Sequence, residues 1–313
     1  MGNPKSLTYD SNNMAVIDLG SAIIRMEPDD PPQWALDIAR NELRETPEIA
    51  EAAKKKLKEM IEAETELNLP TDDFYLKMFL RPTHYYPESA LKRIKHFYNM
   101  MQKYGEACTD IIPSKVQHVF EAELLTLLPN RDQHGRRMLV LQAGKKWKPS
   151  EVSLVDMFRG IQLTVLGSMV EPMSQICGAV VIIDVEGLPM GHIMHFTPNF
   201  AAMLLDYVQE CICVRLKAVH IVNNSYIFNI LFSIFKPFIR EKLRKRIFFH
   251  GKDMKSLTKH IDAAVLPAKY GGTATWEMPP GKLLGEFFNS YTPDFEKAAS
   301  YGWKDGYKIK KVH

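Results

Sequence analysis

The residues best suited to chemistry lie in the stretch DVEGLPMGHIMH, where Asp184, Glu186, His192 and His195 fall close together. Two carboxylates and two imidazoles at that spacing could hold a divalent metal, or divide acid and base roles in a hydrolysis or an isomerisation. A metal site would need a further ligand with its own supporting partner, and none stands out nearby. The plainer reading makes Asp184 and Gly187 a strand-exit turn and gives His192 and His195 to a loop or a helix cap. Glu121 and Glu123, and the pair His250-Gly251, have no constellation around them. There is no Gly-x-Ser-x-Gly elbow, no Walker loop and no Gly-x-Gly-x-x-Gly after a strand. Cys108, Cys177, Cys211 and Cys213 match neither a disulfide framework nor a zinc spacing, and are expected as reduced, mostly buried thiols. The expectation is therefore a protein that is not an enzyme and has neither metal nor cofactor.

The elements around these residues point to binding. With 313 residues, 46% of them hydrophobic, the chain can bury a substantial core as two domains or one large one. A formal charge of +3 gives no global basic field for nucleic acid, so an anionic partner must be met by a local patch. The opening residues lack a long apolar run of the secretory kind, and no segment offers the ~20 apolar residues that cross a bilayer. A cytoplasmic protein with at most reversible, peripheral membrane association is expected. Met1-Gly2 followed by Ser6 matches the bare pattern for N-myristoylation of Gly2.

Four regions follow from the patterning. Residues 1–33 read as a loosely ordered arm, stopped by EPDDPPQ. Residues 34–112 read as an all-helical module: Trp34 to Leu67 is rich in Ala, Glu, Lys and Leu with i,i+4 acid and base pairs, Thr71 is placed to cap a helix, and Ala90, Leu91, Ile94, Phe97, Tyr98 and Met101 recur at helical spacing. Residues 113–275 carry short apolar runs (RRMLVLQAG, GAVVIIDVEG, LKAVHIVNN) between helical stretches. AVVIID does not alternate, which suits strands covered on both faces and hence a mainly parallel sheet in an α/β domain. Residues 276–313 form an aromatic-rich C-terminal extension without a long period.

One stretch stands apart: SYIFNILFSIFKPFIREKLRKRIFFHG, residues 225–251. Ser225 is placed to cap a helix that is apolar nearly all round, broken only by Asn229 and Ser233. Such a helix must be buried on every side, or form a lid over a greasy cavity and turn toward a membrane. Pro237 should start a second helix with Ile239, Leu243 and Ile247 as its inner stripe and Arg240, Lys242, Arg244, Lys245 and Arg246 outside. An apolar face beside a cationic one suits an anionic lipid surface, each well-placed basic residue adding about 1 kcal/mol.

The order and spacing of DDFYLKMFLRPTHYYPESALKRIKHFY, DMFRGIQLTVLGSMVE, GAVVIIDVEGL, HFTPNFAAMLLDYVQECICVRLKAVHIVNN, FSIFKPFIREKLRKRIFFHG and LPAKYGG resemble the CRAL-TRIO family of hydrophobic-ligand carriers. The likeness is strongest to its branch of alpha-tocopherol transfer protein and cellular retinaldehyde-binding protein. It implies a CRAL-TRIO lipid-binding domain behind the helical module, with a sheet floor, a helical gate and transfer at phosphoinositide-bearing membranes. By position, the cavity wall would include Phe158, Ile161, Val165, Ile183, Leu188, Leu204, Tyr207, Val208 and Val219, with Gln162, Thr164 and Tyr207 as the nearest polar contacts. Tyr226, Ile227 and Ile234 would form the gate, and Arg215, Lys217, Lys242 and Arg246 the phosphoinositide site.

Two departures from the family pattern matter. Thr83 stands where the family's Phe-Leu-Arg-Ala-Arg motif has its second arginine, after Pro82, so the helical module lacks that cation. Ile161 and Val165 stand where the tocopherol carrier has serines, and an unsatisfied buried polar group costs ~1 to 3 kcal/mol. A retinoid, carotenoid, sterol-like or other isoprenoid is therefore at least as well suited as tocopherol. The alternative is a ligand-regulated protein-interaction module, which an exposed aromatic tail over 276–313 would favour.

Overall fold

The computed structural model describes residues 5–308, so Gly2 and its myristoylation pattern lie outside the described residues. The arm expected at the N-terminus is instead a three-stranded antiparallel meander, β1 (Ser6–Tyr9), β2 (Ala15–Asp18) and β3 (Ile23–Arg25). Its first turn is tied by Asp10, whose carboxylate accepts the amides of Asn12 and Met14. Ala15, Ile17 and Ile24 are buried and join the main core. Alternation over such short strands is too brief to read in sequence.

The helical module follows. The long helix expected from Trp34 to Leu67 is two, α1 (Gln33–Leu43) and α2 (Pro47–Glu62), parted by Arg44 at φ 64°. Thr46 caps α2 by accepting the Ile49 amide, and Pro47 takes the first helical position, where no N–H is needed. After the two-residue β4 (Leu67–Asn68) come α3 (Asp73–Leu80) and α4 (Pro87–Tyr104). The cap of α3 is Asp72, which accepts the Tyr75 amide, and not Thr71. Leu57, Ile61, Leu76, Phe79, Leu80 and Ile94 form this module's own core.

The α/β domain begins with α5 (Pro113–Glu121) and β5 (Leu125–Leu127), then β6 (Arg137–Gln142), α6 (Leu154–Met169), α7 (Pro172–Cys177), β7 (Ala179–Asp184), α8 (Pro198–Asp206) and β8 (Leu216–Val222). It closes with α9 (Tyr226–Phe235), α10 (Glu241–Arg244), β9 (Ile247–Gly251) and α11 (Met254–Thr258). Strand order is β5-β6-β7-β8-β9, antiparallel at β5/β6 and parallel elsewhere. Arg81 fastens the helical module to this domain, with Nε and Nη2 donating to Glu45 at 2.9 Å each and Nη1 donating to Gln175 of α7 at 2.6 Å.

Register explains why AVVIID does not alternate. Val180 and Ile182 point into the main core with Leu257, Leu266 and Tyr270, whereas Ala179, Val181 and Ile183 face a cavity on the other side. Both faces exclude water, so both are apolar. In the C-terminal extension, α12 (Gly281–Asn289) packs against α5 and β2, α13 (Thr292–Ala299) against α5, and β10 (Gly302–Trp303) pairs antiparallel with β4. Trp276, Phe287, Phe288 and Phe295 are buried, and among the described residues no aromatic of the tail is exposed in the way an interaction module would favour.

Candidate functional site

The cavity floor is laid in rows across the sheet. Leu127, Leu139, Val181, Val219 and Ile247 are register partners across all five strands, and Leu141, Ile183 and Ile221 form a second row beside them. Arg137, Ala179 and Leu216 make a third. All of these line one cavity of about 250 Å³. Its wall is α6, where Leu154, Phe158, Ile161, Val165 and Ser168 recur every three or four residues and so share one helix face, with Met157 beside Phe158. Phe200, Leu204, Leu205 and Val208 continue the wall, and Phe228, Leu231, Phe232 and Phe235 of α9 roof it.

Of the residues expected at the wall, Phe158, Ile161, Val165, Ile183, Leu204, Val208 and Val219 line the cavity, and Gln162, Leu188 and Tyr207 do not. Gln162 sits on the next face of α6 and donates to the Ala107 carbonyl at 2.6 Å. Tyr207 packs edge-on behind Phe158, ring centroids 5.4 Å apart, and Leu188 lies in the cluster of Val185, Ile221 and Phe228. The three expected gate residues are on α9 but are not among the residues that line the cavity. Tyr226 is 76% exposed, and Ile227 and Ile234 are half-buried at the helix flank. Ser225 makes no side-chain cap. The second helix is only the single turn α10, because the β-prone run Ile247–Phe249 pairs with β8 as a strand; Ile247 still reaches the cavity, from the floor.

Beside the roof is a cluster of cations. Burial, then the charges of Arg246, Arg93 and Arg215, pull the pKa of Lys242 down. Burial, then Arg215 and Arg136, do the same to Arg246, whose Nη1 donates to the Leu216 carbonyl. Lys217 is likewise lowered, by burial and then Arg215, with Glu42 acting in the opposite direction. The four expected basic residues are thus brought together, and two more, Arg93 and Arg136, act on them. Glu42 of α1 accepts from Arg215 Nη2 at 2.7 Å and from Lys217 Nζ at 3.2 Å.

A family model for the CRAL/TRIO domain matches residues 121–272. The chain is 31% identical over 268 residues to an alpha-tocopherol transfer protein-like protein of Mus musculus, covering 83% of this chain and 78% of that one. The chain belongs to the CRAL/TRIO family. Clavesin-2 of Mus musculus is 30% identical over 252 residues, covering 78% of this chain and 74% of that protein. The crystal structure of Sfh5 superposes with a TM-score of 0.53 at 12% identity, covering 80% of this chain and 98% of Sfh5, which is a likeness of fold.

In this CRAL/TRIO chain the helical module does bring a cation to the cluster, by a residue other than the one the family motif suggests. Thr83 is buried and donates to the Phe79 carbonyl at 2.7 Å, whereas Arg93 of α4, half-buried, donates to the Ile212 carbonyl at 2.7 Å and adds its charge beside Lys242. No local sequence signal separates Arg93 from the other bases of α4. Asp184 makes the strand-exit turn by accepting the Glu186 amide at 3.0 Å, with Gly187 at φ 63°. Its other contacts are Lys269 at 2.8 Å, Asn223 at 2.8 Å and Tyr270 at 3.1 Å; burial pushes its pKa up, and Lys269, Asn223 and the Glu186 amide together hold it below the ordinary value. His192 and His195 lie on a short 3-10 turn against the Trp147 ring. Among the described residues no three His, Cys, Asp or Glu side chains gather as a metal site, and no helix is long and apolar enough to cross a membrane.

Proposed function

We propose that this protein is a non-enzymatic carrier that holds one hydrophobic small molecule between the sheet and α9, and exchanges it at membranes bearing phosphoinositides or other anionic lipids. The observation that carries this reading is the almost wholly apolar cavity roofed by α9, with the cationic cluster directly alongside. Affinity would come from burial of the ligand at roughly 25 cal/mol per Å² removed from water. The names of its relatives, a tocopherol transfer protein-like protein among them, agree with a lipid-transfer role.

The membrane step has its own support. Met190, Met194, Tyr226 and Phe249 are exposed, Met194 by 86%. Met190 and Met194 belong to the turn that packs on α9, and Phe249 touches Phe232 of the roof, centroids 5.2 Å apart. In the proposed cycle the cations find the anionic surface, this apolar rim enters the interface, and α9 moves to open the cavity. The cavity's hydrocarbon lining and the absence of serines at 161 and 165 suit an isoprenoid with few polar groups, such as a retinoid or carotenoid, at least as well as tocopherol. Transfer of a fluorescent retinoid from neutral donor vesicles to acceptors with and without phosphatidylinositol 4,5-bisphosphate tests the reading. The protein should accelerate transfer, and more so to the charged acceptors; no acceleration with either acceptor would contradict it.

A further inference from the structure

Arg137 is the single charged side chain among those lining the cavity, and it is 1% exposed. It opens β6, and the alternation of Arg137, Leu139 and Leu141 along that strand sets it on the cavity face of the sheet. Its Nε donates to Glu171 at 3.1 Å, and Nη2 donates to the other Glu171 oxygen and to the Arg25 carbonyl at 3.3 Å. Nη1 is buried and has no partner. Arg93 Nε and Arg159 Nε are also buried without a partner, but Arg137 alone of the three lines the cavity, where an entering acceptor would relieve the cost of an unpaired N–H.

The other polar groups on the wall do not supply that acceptor or compete as donors. The Thr164 hydroxyl donates to the Gly160 carbonyl and the Ser168 hydroxyl to the Thr164 carbonyl, each at 2.9 Å along α6. Charge is already balanced around Arg137. Glu171 also accepts from Arg131 at 2.9 Å, and Glu27 accepts from Arg131 at 2.6 Å and lies 3.4 Å from Arg137 Nη2, so two guanidinium groups meet two carboxylates. A further carboxylate would enter this apolar space uncompensated, whereas a neutral oxygen would not.

We propose that Arg137 Nη1 is the polar anchor of the cavity, donating a hydrogen bond to a neutral carbonyl or hydroxyl oxygen of an otherwise apolar ligand. This rests on the carrier reading. It selects oxygenated lipids, namely aldehydes, ketones, esters and alcohols, over hydrocarbons and over ionised acids.

The test uses displacement of diphenylhexatriene, a hydrocarbon probe, by dodecane, dodecanol, dodecanal and laurate at neutral pH. Arg137→Lys keeps an ion pair with Glu171 and removes the spare donor. The variant should bind dodecanol and dodecanal about tenfold more weakly than the wild type does, and dodecane within about twofold. In the wild type dodecanal should displace the probe at lower concentration than laurate. Equal losses for all four compounds, no loss for any, or tightest binding of laurate would overturn the assignment. Infrared spectra of dodecanal in the wild-type protein provide a readout independent of the variant: the carbonyl stretch should fall below its position in hydrocarbon solvent, and an unshifted band overturns the anchor. A wild-type protein that excludes diphenylhexatriene overturns the carrier reading, and the anchor with it.

Discussion

Glu42 reaches from α1 to within 2.7 Å of Arg215 Nη2, setting an internal carboxylate against a cluster of cations that otherwise repel one another. The guanidinium and then Lys217 hold the Glu42 carboxyl below its ordinary range, against a smaller opposing effect of burial. In the proposed cycle an anionic headgroup at the cluster would compete with this carboxylate. Glu42→Gln should tighten binding to phosphoinositide vesicles about two- to fivefold in co-sedimentation, the scale of a solvent-screened ion pair. Unchanged or weaker binding would place the headgroup elsewhere.

Lys242 is exposed and Arg246 half-buried in the same cluster. Reversing charge at Lys242 alone, by Lys242→Glu, should slow transfer to anionic acceptor vesicles about tenfold or more, with Arg246→Glu adding to the loss. Transfer to neutral acceptors should change little, and bound ligand should be retained. Equal slowing with both acceptors would point to damaged folding rather than to lost surface attraction.

Val181 occupies the centre of the floor, in register with Leu139 and Val219. Val181→Trp fills the cavity from below, so ligand uptake should fall below detection while the melting temperature stays level or rises, since the added side chain takes up empty space. A variant that still binds stoichiometric ligand would mean that binding occurs outside this cavity.

His220 lies buried under the sheet, sharing a hydrogen bond with His250 at 2.9 Å. Burial, then the neighbouring His250, His260 and Arg136, push its pKa from 6.5 down to about 3. The unfolded chain thus binds a proton in this interval that the folded chain refuses, and stability present above pH 6.5 is lost as pH falls toward 3. Urea midpoints should decline from pH 7.5 to pH 5, and His220→Asn should flatten that decline. A midpoint that rises on acidification would contradict the assignment.

Much of this architecture was legible because burial writes itself into sequence. The three central strands and α9 are long apolar runs, and of the ten residues expected at the wall seven line the cavity. Misreadings fell where the side chain's direction decides its role. Gln162 is one residue from Ile161, yet 100° of helix rotation turns it to the Ala107 carbonyl. Tyr226, Ile227 and Ile234 share α9 with Phe228, Leu231 and Phe235, and spacing alone did not say which stripe faces inward. Ile247 had helical spacing from Leu243 and became a strand through pairing with distant β8. Arg93, Glu42 and Arg137 gave no local signal, since each acquires its role from residues far away in the chain.

If the space between sheet and α9 holds one hydrophobic molecule, that molecule can be recovered with the protein. The most direct measurement is solvent extraction and mass spectrometry of the protein purified from its expression host, repeated after incubation with vesicles carrying retinoids, tocopherol and sterols. Close to one molar equivalent of a single lipid class is expected in the wild type and none in Val181→Trp. A wild-type protein that emerges empty and takes up nothing from any of the vesicles would contradict the carrier reading.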